Sequence, residues 1–184
     1  LRPRSAMAEV DRALVIRQGA LGDFVLLLPV LQALRERFPR AWIEYLGNQE
    51  AGRLAQGVYV DRVCPEPPGY HLLFTDGPVP DGLRRWLSSF DLVVAYTRSA
   101  WLARSLRRLC PRVVVADPLP RDRHACEHLL EPLGRLGIDG PREPCLPLRG
   151  RPHGMVVLHP GSGSPRKCWG AEGFAELARR LGFN

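Results

Sequence analysis

One stretch constrains this chain more than any other: Ala13–Pro29, ALVIRQGALGDFVLLLP. Its first four residues, Ala13–Ile16, are apolar and partly β-branched and lead into Arg17, as a parallel strand covered on both faces must be. Gly19-Ala20-Leu21-Gly22 then allows a sharp reversal of the backbone. An apolar helix follows, running to about Phe38. Strand, glycine turn and helix in that order predict the first unit of an open parallel sheet. Such sheets bind ligands just beyond the carboxyl ends of their strands. Asp23 falls at that edge. Read as a helix residue it is an N-cap, stabilised by the positive end of the helix. Read as a site residue it is a carboxylate placed where chemistry occurs.

The rest of the chain repeats the alternation. Strands are predicted at Trp42–Leu46, Val58–Val63, Leu92–Tyr96 and Arg112–Ala116. Helices are predicted at Glu50–Gln56, Asp81–Ser89, Ala100–Leu109 and His124–Leu136, the last with a possible kink at Pro132. Tyr70–Thr75 is apolar and ambiguous. Alternating strands and helices predict an α/β fold with a parallel sheet. Residues 140–154 change character, with Pro141, Pro144, Pro147 and Pro152 among glycines, and read as a linker. Residues 155–184 restart the plan: a strand at Met155–His159, a Gly/Ser loop, and an amphipathic helix at Ala171–Leu181. One strand and one helix cannot bury a core, so the expected organisation is a first domain at 7–139 and the truncated beginning of a second. Leu1–Ala6, ahead of Met7, read as a cloning remnant and are set aside.

Composition narrows the partners. The formal net charge is +7, and 25 of the 26 basic residues are Arg; Lys167 is the exception. A basic balance favours anionic ligands. The arginines are dispersed rather than striped along one helix, which argues against nucleic acid. No apolar run approaches the roughly 20 residues of a membrane span. The five cysteines are scattered without a CxxC pair, which fits a reducing cytosol and suggests neither zinc nor a disulfide framework.

The second informative stretch is Leu158–Trp169, LHPGSGSPRKCW. Gly161, Ser162, Gly163 and Ser164 offer backbone N–H groups and hydroxyls ahead of a helix, an arrangement suited to phosphate. It is not a Walker loop, because the Gly-x4-Gly-Lys-Ser/Thr spacing is absent. Three arginines follow predicted strands: Arg98 after Leu92–Tyr96, and Arg121 and Arg123 after Arg112–Ala116. They suit bidentate pairing with carboxylates or phosphates, against the ordinary alternative of solvated surface charge. His124 and His128 lie four apart on one helix, but no third ligand accompanies them, so no metal site is expected.

Two motifs carry a resemblance. IRQGALGDFVLLLPVLQALRERFP resembles the N-terminal signature of the heptosyltransferases, glycosyltransferase family 9: a strand, a basic residue, a small-residue turn, Gly-Asp, and a later Pro. His159-Pro160-Gly161, Lys167-Cys168-Trp169 and Phe174–Leu181 are similar to the family's strand-end loop, Lys-x-Trp and following helix. Gly170 replaces the proline that often follows the Trp. The resemblance implies a GT-B-like α/β fold: a Rossmann-like parallel-sheet domain, then the first strand and helix of a second Rossmann-like domain. It implies an inverting transfer of heptose from ADP-heptose to the lipopolysaccharide inner core, with no cofactor. Asp23 would be the catalytic base. Gly161, Ser162, Gly163, Ser164, Lys167 and Trp169 would bind the donor nucleotide sugar. Gly22, Arg98, Arg121 and Arg123 would meet an anionic glycolipid acceptor. The protein would be cytoplasmic, peripheral at the inner face of the membrane. The alternatives are a dinucleotide-binding Rossmann module, invited by Gly19-x-x-Gly22 and Glu44 but lacking GxGxxG, and a non-catalytic binding domain.

Overall fold

The computed structural model describes residues 9–120, 122–146, 156–161 and 163–182. These fall into two compact units, divided between Pro147 and Leu148.

The first unit is a five-stranded parallel sheet flanked by helices. In chain order it contains β1 (Arg12–Arg17), α1 (Leu21–Arg37), β2 (Trp42–Gly47), the short α2 (Gln49–Gly52), β3 (Arg62–Cys64), α3 (Asp81–Ser88), β4 (Leu92–Tyr96), α4 (Ala100–Leu109), β5 (Val113–Ala116) and α5 (Ala125–Gly134). A 3₁₀ turn at Arg53–Ala55 follows α2, and another at Tyr70–Phe74 precedes α3. The strand order is β3-β2-β1-β4-β5. β1 is therefore central, paired with β2 on one side and β4 on the other. The order reverses between β1 and β4, which opens a crevice at their carboxyl ends.

Side-chain alternation explains the layers. Ala13 and Val15 of β1, with Ile43 and Tyr45 of β2, face a core shared with α1 and α5. Leu14, Ile16 and Leu46 face the opposite core, shared with α3, α4 and the Tyr70–Phe74 turn. Leu27, Leu31 and Leu34 of α1 are fully buried, each contributing about 1.5–3 kcal/mol by leaving water. Asp91 fixes where β1 begins: one carboxylate oxygen accepts from the backbone N–H groups of Asp11 and Arg12, both at 2.9 Å.

In the first unit the predicted order of elements holds, with local differences: the helix expected at Glu50–Gln56 is α2 followed by the 3₁₀ turn at Arg53–Ala55. Val58–Val63 is not a continuous strand: the N–H groups of Val58, Tyr59 and Val60 all turn back to the carbonyl of Ala55, and β3 begins only at Arg62. The ambiguous Tyr70–Thr75 segment is a 3₁₀ turn burying Tyr70 and Leu73. Helix α5 runs through Pro132 and ends at Gly134. Residues 140–146 carry no helix or strand. Leu146 packs on the first core, and the Cys145 carbonyl accepts from the Tyr59 hydroxyl at 3.0 Å.

The second unit contains a 3₁₀ turn at Pro165–Lys167 and α6 (Ala171–Arg180). The strand expected at Met155–His159 is not formed over its described residues, 156–159. A parallel strand exists through pairing with neighbours, and the described residues of this unit contain no other strand to pair with. Val157 is 76% exposed.

Candidate functional site

The carboxyl edge of the sheet gathers Arg17, Gly19 and Asp23. Asp23 is not the N-cap. Helix α1 begins three residues earlier than the Asp23 N-cap reading requires, with Ala20 at the N-cap and Asp23 at the third helical position. From there the carboxylate reaches back: Oδ2 accepts the Ala20 backbone N–H at 2.9 Å. This is the acidic half of a capping box, and Ala20 has no side-chain oxygen to supply the other half. Asp23 Oδ1 accepts from the Arg17 guanidinium at 3.2 Å. Gly19 makes room for this arrangement. A Cβ at Gly19 would lie 2.7 Å from both the Cβ and Oδ2 of Asp23.

Arg17 is the residue that motif reading passed over as a mere basic position. Its side chain is only 4% exposed, while that of Asp23 is 42% exposed. Its second terminal nitrogen donates to the Pro118 carbonyl at 3.3 Å, and its guanidinium lies 5.8 Å from the Tyr96 ring centroid. Its Nε is buried without a hydrogen-bond partner. The Arg17 backbone is held as tightly, since its carbonyl accepts from the Tyr45 hydroxyl at 3.0 Å. A cation at the end of an otherwise apolar strand was the available signal. A charged residue there is affordable only if something pairs with it.

The β4–β5 side of the crevice carries Arg98. Its Nε donates to Asp117 Oδ2 at 3.2 Å, and it stays 59% exposed. The other Asp117 oxygen accepts from Leu119 N–H, while the Asp117 carbonyl meets His128 Nε2 at 2.8 Å. His128 is thus committed to the backbone, and His124 Nδ1 accepts from Cys126 N–H. Among the described residues, no cluster of three or more His, Cys, Asp or Glu is arranged to hold a metal. Arg123, just ahead of α5, pairs with Glu131 of that helix at 3.2 Å, both side chains about half exposed. Arg121 lies outside the described residues. Gly22 is exposed in the first turn of α1, with open space where a side chain would project.

Burial shapes the neighbouring titrations. The hydroxyl of Tyr96 donates to the Leu129 carbonyl, and desolvation pushes its pKa well above the ordinary tyrosine value against the opposing pull of Arg17. Desolvation also pushes Tyr45 up to about 12. Both phenols are therefore neutral donors at neutral pH.

Glu44 does not have the placement of a ribose-binding acid. It sits mid-strand in β2, 1% exposed, with Oε1 accepting from Arg12 at 2.8 Å and from Trp42 at 3.0 Å. Oε2 receives the Cys64 thiol at 2.8 Å, and Arg62 lies 3.9 Å away. A dinucleotide site needs its acid free at the carboxyl end of that strand. Glu44 is instead enclosed by its own partners.

The second unit holds the glycine loop. Gly161 N–H donates to His159 Nδ1 at 3.2 Å, and Lys167 N–H donates to the Ser164 carbonyl at 2.9 Å. Gly163, Ser164 and Lys167 stand in one loop ahead of α6, with Lys167 exposed. Trp169 lies 5.1 Å from the Phe174 ring and covers Gly173, where a Cβ would approach the indole closely. Ser162 lies outside the described residues.

No family model matches this chain, and no curated protein does. Solved structures do. A glycosyl transferase of family 9 from Veillonella parvula matches with TM-score 0.62 and 21% identity, over 96% of this chain and 61% of that one. The heptosyltransferase WaaC of E. coli, bound to ADP-2-deoxy-2-fluoro heptose, matches with TM-score 0.64 and 18% identity, over 92% and 65%. This is the heptosyltransferase fold. The E. coli ADP-heptose LPS heptosyltransferase II shares it at TM-score 0.60 and 17% identity, over 92% of this chain and 61% of that one. The chain thus spans less than two thirds of the length of each heptosyltransferase-fold structure named. No helix among the described residues is long and apolar enough to cross a membrane.

Proposed function

We propose that this chain belongs to a glycosyltransferase of the heptosyltransferase type and supplies its acceptor-side domain together with part of its donor-side domain. The observation that carries the reading is the Arg17–Asp23 pair over Gly19, at the carboxyl edge of a sheet whose fold is shared with heptosyltransferases. Asp23 accepts the proton of the acceptor hydroxyl as that oxygen attacks the anomeric carbon of the donor. Attack from the face opposite the nucleotide inverts the anomeric centre. Arg17 holds one carboxylate oxygen and the Ala20 N–H holds the other, so the carboxylate is oriented before the acceptor arrives. Each oxygen keeps a lone pair for the incoming proton.

The donor is a nucleotide sugar, ADP-heptose by the reading of the motifs. Lys167 and the Gly161–Ser164 loop neutralise the diphosphate as it leaves, and Trp169 borders that pocket. No cofactor takes part. The acceptor is an anionic glycolipid of the lipopolysaccharide inner core, met at Gly22 and at Arg98, Arg121 and Arg123. Arg98 reaches an anion only by releasing Asp117, so its contribution is an exchange of partners rather than a new pairing. An acceptor of this kind places the protein in the cytoplasm, against the inner face of the membrane.

Equilibrium binding tests this reading against the dinucleotide alternative. The whole protein is expected to bind ADP-heptose and to ignore NAD, and the transferred sugar is expected to have inverted anomeric configuration by NMR. Binding of NAD in preference to ADP-heptose, or a retained anomer, would overturn it.

A further inference from the structure

A cluster of arginines that shares no residue with the Arg17–Asp23 pair lies on the layer formed by α3 and α4. A cleft of about 510 Å³ opens between these helices and the turn at residues 75–79. Arg84 of α3 and Arg104 and Arg108 of α4 line it, with Trp101 and Asp76. All three arginines are exposed, and among the described residues none is paired with a carboxylate. Arg104 and Arg108 lie one helical turn apart, a like-charge spacing that costs helix stability rather than adding to it. The Arg104 guanidinium sits 5.9 Å from the Trp101 ring centroid, and that indole is 43% exposed. The hydroxyls nearby are already used: Ser105 donates to the Leu73 carbonyl, and Thr75 donates to the Leu72 carbonyl.

The geometry points to a binding site for a phosphate ester attached to a polar ring or headgroup. Guanidinium forks from two helices match the several oxygens of a phosphate, which a single carboxylate would not fill. The exposed indole face offers a stacking surface for a sugar ring. Asp76 opposes an anion in its immediate vicinity but accepts from hydroxyl groups, so it selects for a ligand that carries hydroxyls beside its phosphate. None of these residues belongs to the proposed transfer site, and the inference stands or falls without it.

The test uses the 184-residue chain. Isothermal titration with glucose 6-phosphate, and with glucose as the uncharged reference, probes a free sugar phosphate. Cosedimentation with phosphatidylcholine vesicles, with and without phosphatidylglycerol, probes a lipid headgroup. The variants are R104Q/R108Q on α4 and R84Q on α3, each checked for fold by circular dichroism. Binding of glucose 6-phosphate but not glucose, weakened at least about tenfold by either variant, assigns the site to a soluble ester. Binding only to the phosphatidylglycerol vesicles, weakened likewise, assigns it to a headgroup. No binding to either probe, or binding that both variants leave unchanged, overturns the inference.

Discussion

The two regions that share the strand–glycine–helix plan are built in opposite ways. At β1–α1 the plan is enclosed. The strand is central, Arg17 is buried, and the glycine turn is closed over by the Asp23 carboxylate. At residues 156–182 the same order of residues is open: α6 buries no residue, Trp169 is 57% exposed, and the hydrogen bonds of the loop's described residues reach only a few positions along the chain. The comparison shows that a motif supplies residue types, whereas geometry comes from what surrounds it. Asp23 is held by a buried guanidinium and a backbone N–H. Among the described residues, Lys167 is held by its own turn, its N–H donating to the Ser164 carbonyl.

This contrast predicts different sensitivity to the same kind of change. A methyl group at Gly47 would lie 2.1 Å from the Arg17 carbonyl and 2.3 Å from the Tyr45 hydroxyl, neither of which can withdraw. Gly47→Ala is therefore expected to cost about 3 kcal/mol or more, at the upper end of overpacking penalties, by chemical denaturation. Lys167→Ala in the whole protein is expected to weaken binding of ADP by about 1.5–3 kcal/mol, the worth of one charged hydrogen bond, with stability unaltered. Unchanged ADP affinity in calorimetry would return Lys167 to the solvated surface. Gly173→Ala meets first the indole of Trp169, a side chain that is 57% exposed rather than backbone, and should shift stability by no more than about 0.5 kcal/mol, as exposed substitutions do. A large loss at Gly173 with a small one at Gly47 would invert the comparison.

The cysteines report on the same division with the smallest perturbation. Cys145 and Cys168 are exposed, while Cys64, Cys110 and Cys126 are buried. Burial, assisted by the Glu44 carboxylate, pushes the Cys64 thiol up to about 12 from 9.0, and burial pushes Cys110 up to about 11. A maleimide at neutral pH should label Cys145 and Cys168 quickly and the other three only on unfolding. A buried thiol or phenol whose pKa is raised in the folded state stabilises it fully below the unfolded value, and that contribution fades as pH rises toward the folded value. Stability should therefore fall as pH climbs above about 9, through Cys64 and Cys110 first and Tyr45 next.

Much of the fold was legible because its core strands are apolar on both faces. Leu92–Tyr96 and Ala100–Leu109 have the predicted bounds, and β1, β2 and β5 lie within one residue of theirs. What could not be read was set by tertiary contact. The Val58–Val60 turn depends on three N–H groups converging on one carbonyl. The position of Asp23 at the third residue of α1, rather than at its cap, depends on Ala20 accepting a capping role without a side chain suited to it. Arg17 was visible only as a cation ending a hydrophobic strand. Its partners at Asp23 and Pro118 are six and 101 residues away, and no periodicity encodes the second. The strand at Met155–His159 was suggested by its apolar run, but pairing decides a strand, and the run finds no partner among the described residues.

The central claim is that the Asp23 carboxylate accepts a proton. Asn is the decisive replacement. It retains an oxygen to accept the Ala20 N–H but has an amide where Arg17 expects an anion, so a stability loss of about 1 kcal/mol is expected from the altered pair. Its effect on rate should be far larger. The measurement is steady-state turnover of Asp23→Asn in the whole protein, with donor affinity and melting temperature determined alongside. The account predicts at least a ~100-fold loss of turnover, donor affinity unchanged, and a melting temperature lowered by only a few degrees. Turnover close to that of the parent would contradict it, and would leave Asp23 as the residue that closes the first turn of α1.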